Sequence, residues 1–191
     1  MLLVYSHTMD RAISGQTVLA VDLDGTLLQG DLFRTSMIKL LSANPLYIFA
    51  FPFWLYRGRA FLKRRIAERV EVDPARLEYR EEVLEYVRVE RQAGRTTVLA
   101  TGSDETLAQI VADYLGCFDS LLASDGYRNC TGHTKAQMLV ERYGAKNYDY
   151  IGNSRVDLAV WEKAAGVLVA SKSPRFCLRV QRRFEVIRVF S

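Results

Sequence analysis

The sequence predicts an α/β fold: a parallel five-stranded sheet with a small helical insertion after its first strand. Three observations predict it. Five short apolar runs of strand length recur along the 191 residues. Helical periodicities separate the later four of them, the pattern of strand–helix–strand crossovers in a parallel sheet. The interval between the first two runs is too long for a single crossover helix, so an extra module is inserted there.

Each element follows from its own residues. The strand runs are 17–22, 96–101, 118–124, 148–153 and 166–171. Each is short and largely apolar and ends at polar or small residues. Leu107, Ile110, Val111 and Leu115 put one apolar face on a helix over 105–115. Met138, Leu139 and Tyr143 do so over 135–143, and Leu158, Trp161 and Ala165 over 157–165. Val83, Leu84 and Val87 mark a crossover helix over 80–91, with Gly94 as its stop. The core is therefore expected over 16–30 and 80–171, the inserted module over 31–79 and a basic tail over 172–191. Inside the module, Asn44-Pro45 and Asp73-Pro74 read as turns between two or three helices.

Composition narrows the partners. Nearly half the residues are hydrophobic (49%), enough for a sizeable core, and the net charge is +4. That mild basicity suits an anionic small molecule or a membrane surface. Basic and aromatic residues are not interleaved as in base-stacking grooves, so no nucleic acid partner is expected. The three cysteines, Cys117, Cys130 and Cys177, are odd in number and widely spaced. This is neither a disulfide framework nor a zinc pattern, and it fits a reducing, cytoplasmic setting. The start, MLLVYSHTMDRAISG, lacks the basic and long apolar regions of a signal peptide. His7 and His133 are lone histidines. His133 is two residues from Lys135, but a loop histidine is the simpler reading.

Two segments stand apart. Residues 46–56, LYIFAFPFWLY, carry no charge and are broken by Pro52; Arg57, Arg59, Lys63, Arg64 and Arg65 follow. The run is too short to span a bilayer as a helix. It is either the aromatic core of the module or an interfacial segment with cations near anionic head groups. The tail has six Lys or Arg and one acid, Glu185. Phe176, Val180, Phe184 and Ile187 fall near one helical face, so it reads as a basic helix packed on the sheet or as a lead toward a further segment.

Chemistry concentrates after the first strand, where VLAVDLDGT places Asp22 and Asp24 two residues apart. Strand ends at the carboxyl edge of a parallel sheet are where ligands bind. Paired carboxylates there need a cation or a shared proton, or they form an ordinary solvated loop. Three further segments come after it in order: TTVLATGSDE with Thr101, GHTKAQMLVERYG with Lys135, and YDYIGNSRVDLAVWEKA with Asn153 and Asp157.

Together these four segments resemble the motifs of the haloacid dehalogenase superfamily, most of whose members are phosphatases. The resemblance implies a Rossmann-like core with a helical cap over 31–79. It implies an Mg2+-dependent phosphatase acting on a small phosphorylated substrate through an aspartyl-phosphate. Asp22 would be the nucleophile and Asp24 the acid and then the base. Thr101 and Gly102 would bind phosphate. Lys135 would neutralise charge on the nucleophile and the phosphoryl group. Asp22, Asp24 through its backbone carbonyl, residue 153 and Asp157 would form the Mg2+ site, Asp157 by orienting a bound water, or else pairing with Lys135. Asp24 itself favours phosphoryl transfer over carbon–halogen cleavage. Position 153 departs from the pattern, since the usual Asp is Asn. That exchange weakens the metal site, or it marks a domain that binds without catalysis. A phosphosugar mutase is a third reading.

A narrower resemblance covers most of the chain from Val18 to about Ser171. DLFRTSMIKLLSANPLYIFAFPFWLYRGRAFLKRRIAERV and REEVLEYVRVERQAGRTTVLATGSDE look like the phosphatase-type domain that precedes a UbiA-type membrane prenyltransferase on one polypeptide. It implies a prenyl-linked or phosphoribosyl substrate and a place at the inner membrane face. Contact with the membrane, or with the prenyltransferase itself, would run through the cap and the tail. It also implies the alternative of a non-catalytic docking domain for that enzyme.

Overall fold

The computed structural model describes residues 17–191. His7, Gln16 and the N-terminal stretch without signal-peptide features lie outside the described residues. Strands β1 (Val18–Val21), β2 (Thr97–Asp104), β3 (Ser120–Ser124), β4 (Tyr148–Gly152), β5 (Gly166–Ala170) and β6 (Val186–Phe190) form one sheet. Its order is β3-β2-β1-β4-β5-β6, and every pairing is parallel. β1 is central, bonded to β2 on one side and β4 on the other, so the loop carrying Asp22 and Asp24 leaves from the middle of the sheet.

Six strands form where five were expected. The apolar residues of the tail read as one helical stripe, but the helix stops at Gln181. Beyond it, Val186, Ile187, Val189 and Phe190 are β-branched or aromatic, residues that suit a pleated edge. They pair with β5 in the register Leu168↔Arg188 and Ala170↔Phe190, and Phe190 is fully buried, edge-on to Tyr86 at 5.5 Å.

Alternation along the strands fills two cores. Leu19 and Val21 of β1 face one side, with Leu99, Ile151 and Leu168. Helices α4 (Glu81–Gln92) and α5 (Glu105–Leu115) cover that side through Val83, Leu84, Val87, Leu107 and Val111. Ala20, Val98, Tyr148 and Tyr150 face the other. There α6 (Gly132–Tyr143), the short α7 (Leu158–Trp161) and α8 (Pro174–Gln181) pack through Leu139, Trp161 and Val180. The helix expected over 157–165 is mostly replaced: a 3-10 turn at Arg155–Asp157 leads into one turn of α-helix.

The insertion holds α1 (Leu32–Ala43), a 3-10 turn at Pro45–Phe49, α2 (Phe51–Tyr56), α3 (Arg59–Ala67) and a second 3-10 turn at Pro74–Arg76. The carboxamide of Asn44 and the carboxylate of Asp73 accept the backbone N–H two residues on, at 3.0 and 3.1 Å, starting those 3-10 turns. Leu40, Trp54 and Ile66 make a third, separate core. The two linkers to the sheet run side by side, with Gln29 N–H on the Glu78 carbonyl (2.9 Å) and Arg80 N–H on the Leu27 carbonyl (2.8 Å). Among the described residues no helix is long and apolar enough to cross a membrane.

Candidate active site

The chain turns sharply after β1. Gly25 adopts φ +74°, and a Cβ on it would meet the Asn153 amide nitrogen at 2.0 Å. Only glycine serves there, because the turn needs the left-handed region and Asn153 packs against its α-carbon. Arg80 fixes the turn from outside, its guanidinium donating to the carbonyls of Thr26 (3.1 Å) and Gly25 (3.3 Å). Asp22 emerges buried at the carboxyl end of β1, its N–H bonded to the Ile151 carbonyl of β4 at 3.0 Å.

Lys135, in the first turns of α6, reaches Asp22 Oδ1 with its Nζ at 2.6 Å. The same Nζ donates to the Tyr150 hydroxyl at 2.8 Å, and that hydroxyl donates to Asp157 Oδ1 at 2.8 Å. All four side chains are buried. Burial pushes the Asp22 carboxyl from the ordinary 3.8 up to about 7. Lys135 pulls against this, while the charges of Asp157 and Asp24 push the same way. Burial alone would depress Lys135, yet Asp22 and Asp157 hold it above its ordinary range. Burial, with Asp157 and Asp22 beside it, keeps the Tyr150 phenol well above 10 and therefore neutral.

Asp24 faces the cap side of the same cleft. Its Oδ2 accepts from the hydroxyls of Ser103 (2.7 Å) and Thr101 (3.2 Å), and its Oδ1 from the Leu32 N–H that opens α1 (2.7 Å). Burial raises its pKa, opposed by the Leu32 and Ser103 hydrogen bonds. Thr101 lies where β2 shifts register against β3, between Ala100 and Asp104. Gly102 comes next; a Cβ there would strike the Thr131 methyl at 2.5 Å. The cap comes down on this loop. Lys63 Nζ of α3 donates to the Gly102 carbonyl (2.6 Å) and to Asn129 Oδ1 (2.7 Å), and Arg64 pairs with Asp104 at 2.9 Å.

Asp22, Asp24, Thr101, Gly102, Lys135, Asn153 and Asp157 thus converge, although they span 136 positions of sequence. Asp157 is heavily hydrogen-bonded, so direct ligation of a metal would compete with those bonds. Its Oδ2 accepts from Asn153 N–H (3.0 Å), Ser154 N–H (2.9 Å) and Ser154 Oγ (2.9 Å), and its Oδ1 from Tyr150. Three donors crowd Oδ2, and the Tyr150 hydroxyl takes one of the two acceptor positions of Oδ1. Asp157 does not pair directly with Lys135, because the Tyr150 hydroxyl stands between them. Its work is to fix the backbone at Asn153. His133 is exposed in the first turn of α6.

The other oxygen donors of the expected metal set are the Asp22 carboxylate, the Asp24 carbonyl and the Asn153 amide, which packs on Gly25 of the turn. No group of three His, Cys, Asp or Glu able to hold a metal occurs among the described residues. A sparse all-oxygen set fits a hard cation that keeps waters and shares a substrate phosphate, as Mg2+ does, and does not suit zinc.

The haloacid dehalogenase-like hydrolase family profile matches residues 19–162, which include all of these side chains. The chain belongs to the haloacid dehalogenase-like hydrolase family. An uncharacterized protein, y4nM, of Sinorhizobium fredii (strain NBRC 101917 / NGR234) is 32% identical over 174 residues. That match covers 91% of this chain but only 33% of the relative, so the chain spans about one third of the curated relative's length. Among solved structures, a Bordetella pertussis Tohama I protein of unknown function has 19% identity and a TM-score of 0.64, covering 93% of this chain and 99% of that one. An apo phosphoserine phosphatase has 13% identity and a TM-score of 0.60, covering 92% and 94%. At such identities these structures establish the hydrolase fold.

Several members of this haloacid dehalogenase-like site escaped the sequence. Tyr150 lies inside a strand run and reads as core; only its inward register beside Asp157 could have flagged it. Ser103 stands two residues after Thr101 in ATGSDE, and the register shift of β2 is what turns it toward Asp24. Lys63 is 39 residues from Gly102, and nothing local links the two.

Proposed function

We propose that the chain is an Mg2+-dependent phosphatase that hydrolyses small phosphate monoesters through an aspartyl-phosphate on Asp22. The observation that carries this reading is the pair of buried carboxylates in different settings. Asp22 is bonded to Lys135, which opposes the rise that burial gives its carboxyl, whereas Asp24 is held by two hydroxyls and an amide; burial raises the pKa of both. Groups whose environments differ in this way suit a nucleophile and a proton donor. Asp22 oxygen attacks phosphorus as the ester P–O bond breaks, and Asp24 delivers its proton to the departing oxygen. Asp24, now ionised, takes a proton from water; the hydroxyl oxygen attacks phosphorus, the Asp22–phosphorus bond breaks and phosphate leaves. Thr101 and the Gly102 amide would orient the phosphoryl oxygens, and Lys135 would offset their charge. Asp22, the Asp24 carbonyl and Asn153 would hold Mg2+, which supplies charge neutralisation on the phosphoryl group.

The substrate is proposed as a small phosphorylated metabolite, prenyl-linked or phosphoribosyl, by analogy with the prenyltransferase-linked subgroup. A relative three times as long as the matched segment is compatible with that linkage. The test is phosphate release from an aryl phosphate with Mg2+ and then with EDTA, followed by a phosphometabolite panel. Mg2+-dependent release supports the reading; none on any substrate removes it. One observation favours the docking alternative, namely Asn153 in place of an acid. Under the catalytic reading, Asn153→Asp tightens Mg2+ binding about tenfold or more by calorimetry, since it adds a charged oxygen ligand. Unchanged affinity would take residue 153 out of the metal site.

A further inference from the structure

The cap buries only part of its aromatic run. Trp54 is buried, and Tyr47 and Phe51 pack on it with ring centroids 5.8 Å away. The rest of the same segment faces solvent: Leu46 is 70% exposed, Phe49 79%, Phe53 63% and Tyr56 90%. Ile48 and Leu55 are exposed beside them. Apolar residues this dense on one exposed tip mark a surface that meets something apolar.

Charge identifies the partner. Residues 32–67 hold seven Lys or Arg and no Asp or Glu, whereas the whole chain is only +4. No acid interrupts this stretch of the cap, and the six Lys or Arg of the tail form the other basic concentration of the chain. Arg57 and Arg59 directly follow the apolar tip and are exposed, and the Arg57 guanidinium lies 4.3 Å from the Phe61 ring. A second copy of this face would set like charges against each other. A nucleic acid offers the phosphates but no medium for Leu46, Ile48 and Leu55. An anionic bilayer offers both, head groups for the cations and an acyl boundary for the side chains.

We propose that the cap tip, residues 46–59, docks on anionic lipid bilayers, with Phe49, Phe53 and Tyr56 entering the interface and Arg57 and Arg59 at the head groups. This is independent of whether the buried site hydrolyses phosphate.

The test is co-sedimentation of the full chain with vesicles of phosphatidylglycerol and phosphatidylcholine, and with phosphatidylcholine alone, at low and high salt. Binding is expected on the anionic vesicles at low salt, and weakly or not at all on the neutral ones, with added salt weakening it. F49S/F53S should weaken it at least about tenfold through lost apolar burial. R57A/R59A should weaken it by roughly fivefold per residue. These side chains are exposed, so thermal unfolding of the variants should match the parent and exclude a folding defect. No binding at low salt overturns the proposal. So does binding that neither variant reduces, which would locate the contact elsewhere on the chain. A concentration-dependent dimer in sedimentation velocity that F49S/F53S abolishes would also overturn it, in favour of a second copy on this face.

Discussion

The sheet edge at Asp22 and the cap tip at Phe49 invert the usual placement of residue types. At the sheet edge, Asp22, Lys135, Tyr150 and Asp157 are buried and bonded in a chain: Asp22 to Lys135, Lys135 to Tyr150, Tyr150 to Asp157, and Asp157 to two backbone amides. At the tip, aliphatic and aromatic side chains stand in water beside the exposed Arg57 and Arg59. Burying charge costs several kcal/mol per ion unless it is paired, so the first arrangement persists only where it is fully bonded. Exposing apolar groups costs little in stability. The difference teaches where changes will register. Substitutions at the edge should alter chemistry and folding together; substitutions at the tip should alter neither and change only what the protein adheres to.

The largest expected effect is Asp22→Asn. Turnover of an aryl phosphate should fall at least about a thousandfold, since a carboxamide is a poor nucleophile. Retained hydrolysis in a pure sample would take Asp22 out of that role. Asp24→Asn should reduce turnover of an alkyl phosphate by about 10²–10⁴-fold. The loss should be smaller for a nitrophenyl phosphate, whose leaving group needs no proton. Equal losses on both would mean that Asp24 positions rather than protonates.

A stability contrast sharpens the comparison directly. Tyr150→Phe removes the hydroxyl shared by Lys135 and Asp157, and should cost about 1–3 kcal/mol in urea unfolding. Phe49→Ser should stay within about 0.5 kcal/mol, as an exposed position does. Similar costs for both would mean that the tip is packed rather than free.

A further effect is on pH. With its carboxyl at about 7 when folded and 3.8 when unfolded, Asp22 keeps its proton in the folded state over that interval and loses it in the unfolded one. The folded state then binds more protons, so its stability falls as pH rises from about 4 to about 7, in metal-free buffer. Denaturation of wild type and Asp22→Asn across that range should show a shallower decline in the variant. Parallel curves would place the titration elsewhere.

Much of this was legible in the sequence, for identifiable reasons. Strand runs such as VLAV and the periodic faces of α4 and α5 carry their burial in local pattern, so the parallel sheet follows from them. The motif residues are legible because each sits at a strand end or a helix start. The features that stayed hidden depend on register and long-range contact. The tail strand β6 looked helical until a neighbouring edge was available to pair with it. The bonds from the amides of Asn153 and Ser154 to Asp157 stayed hidden because they depend on the turn after β4. Tyr150 was hidden because a buried tyrosine in a strand is ordinary, and only its alignment between Lys135 and Asp157 makes it part of the site. In the aromatic run, composition left both core and interface open, and folding divides it between inward and outward faces: Trp54 inward, Phe49 and Phe53 outward.

The central claim is that Asp22 carries the phosphoryl group between the two chemical steps. Acid quenching during turnover of a phosphate monoester with Mg2+, followed by peptide mass analysis, tests it most directly. The account predicts one phosphoryl group on the peptide bearing Asp22, labile to hydroxylamine and absent from Asp22→Asn. Hydrolysis that proceeds with Asp22 unmodified throughout, or with the phosphoryl group on another residue, would contradict it.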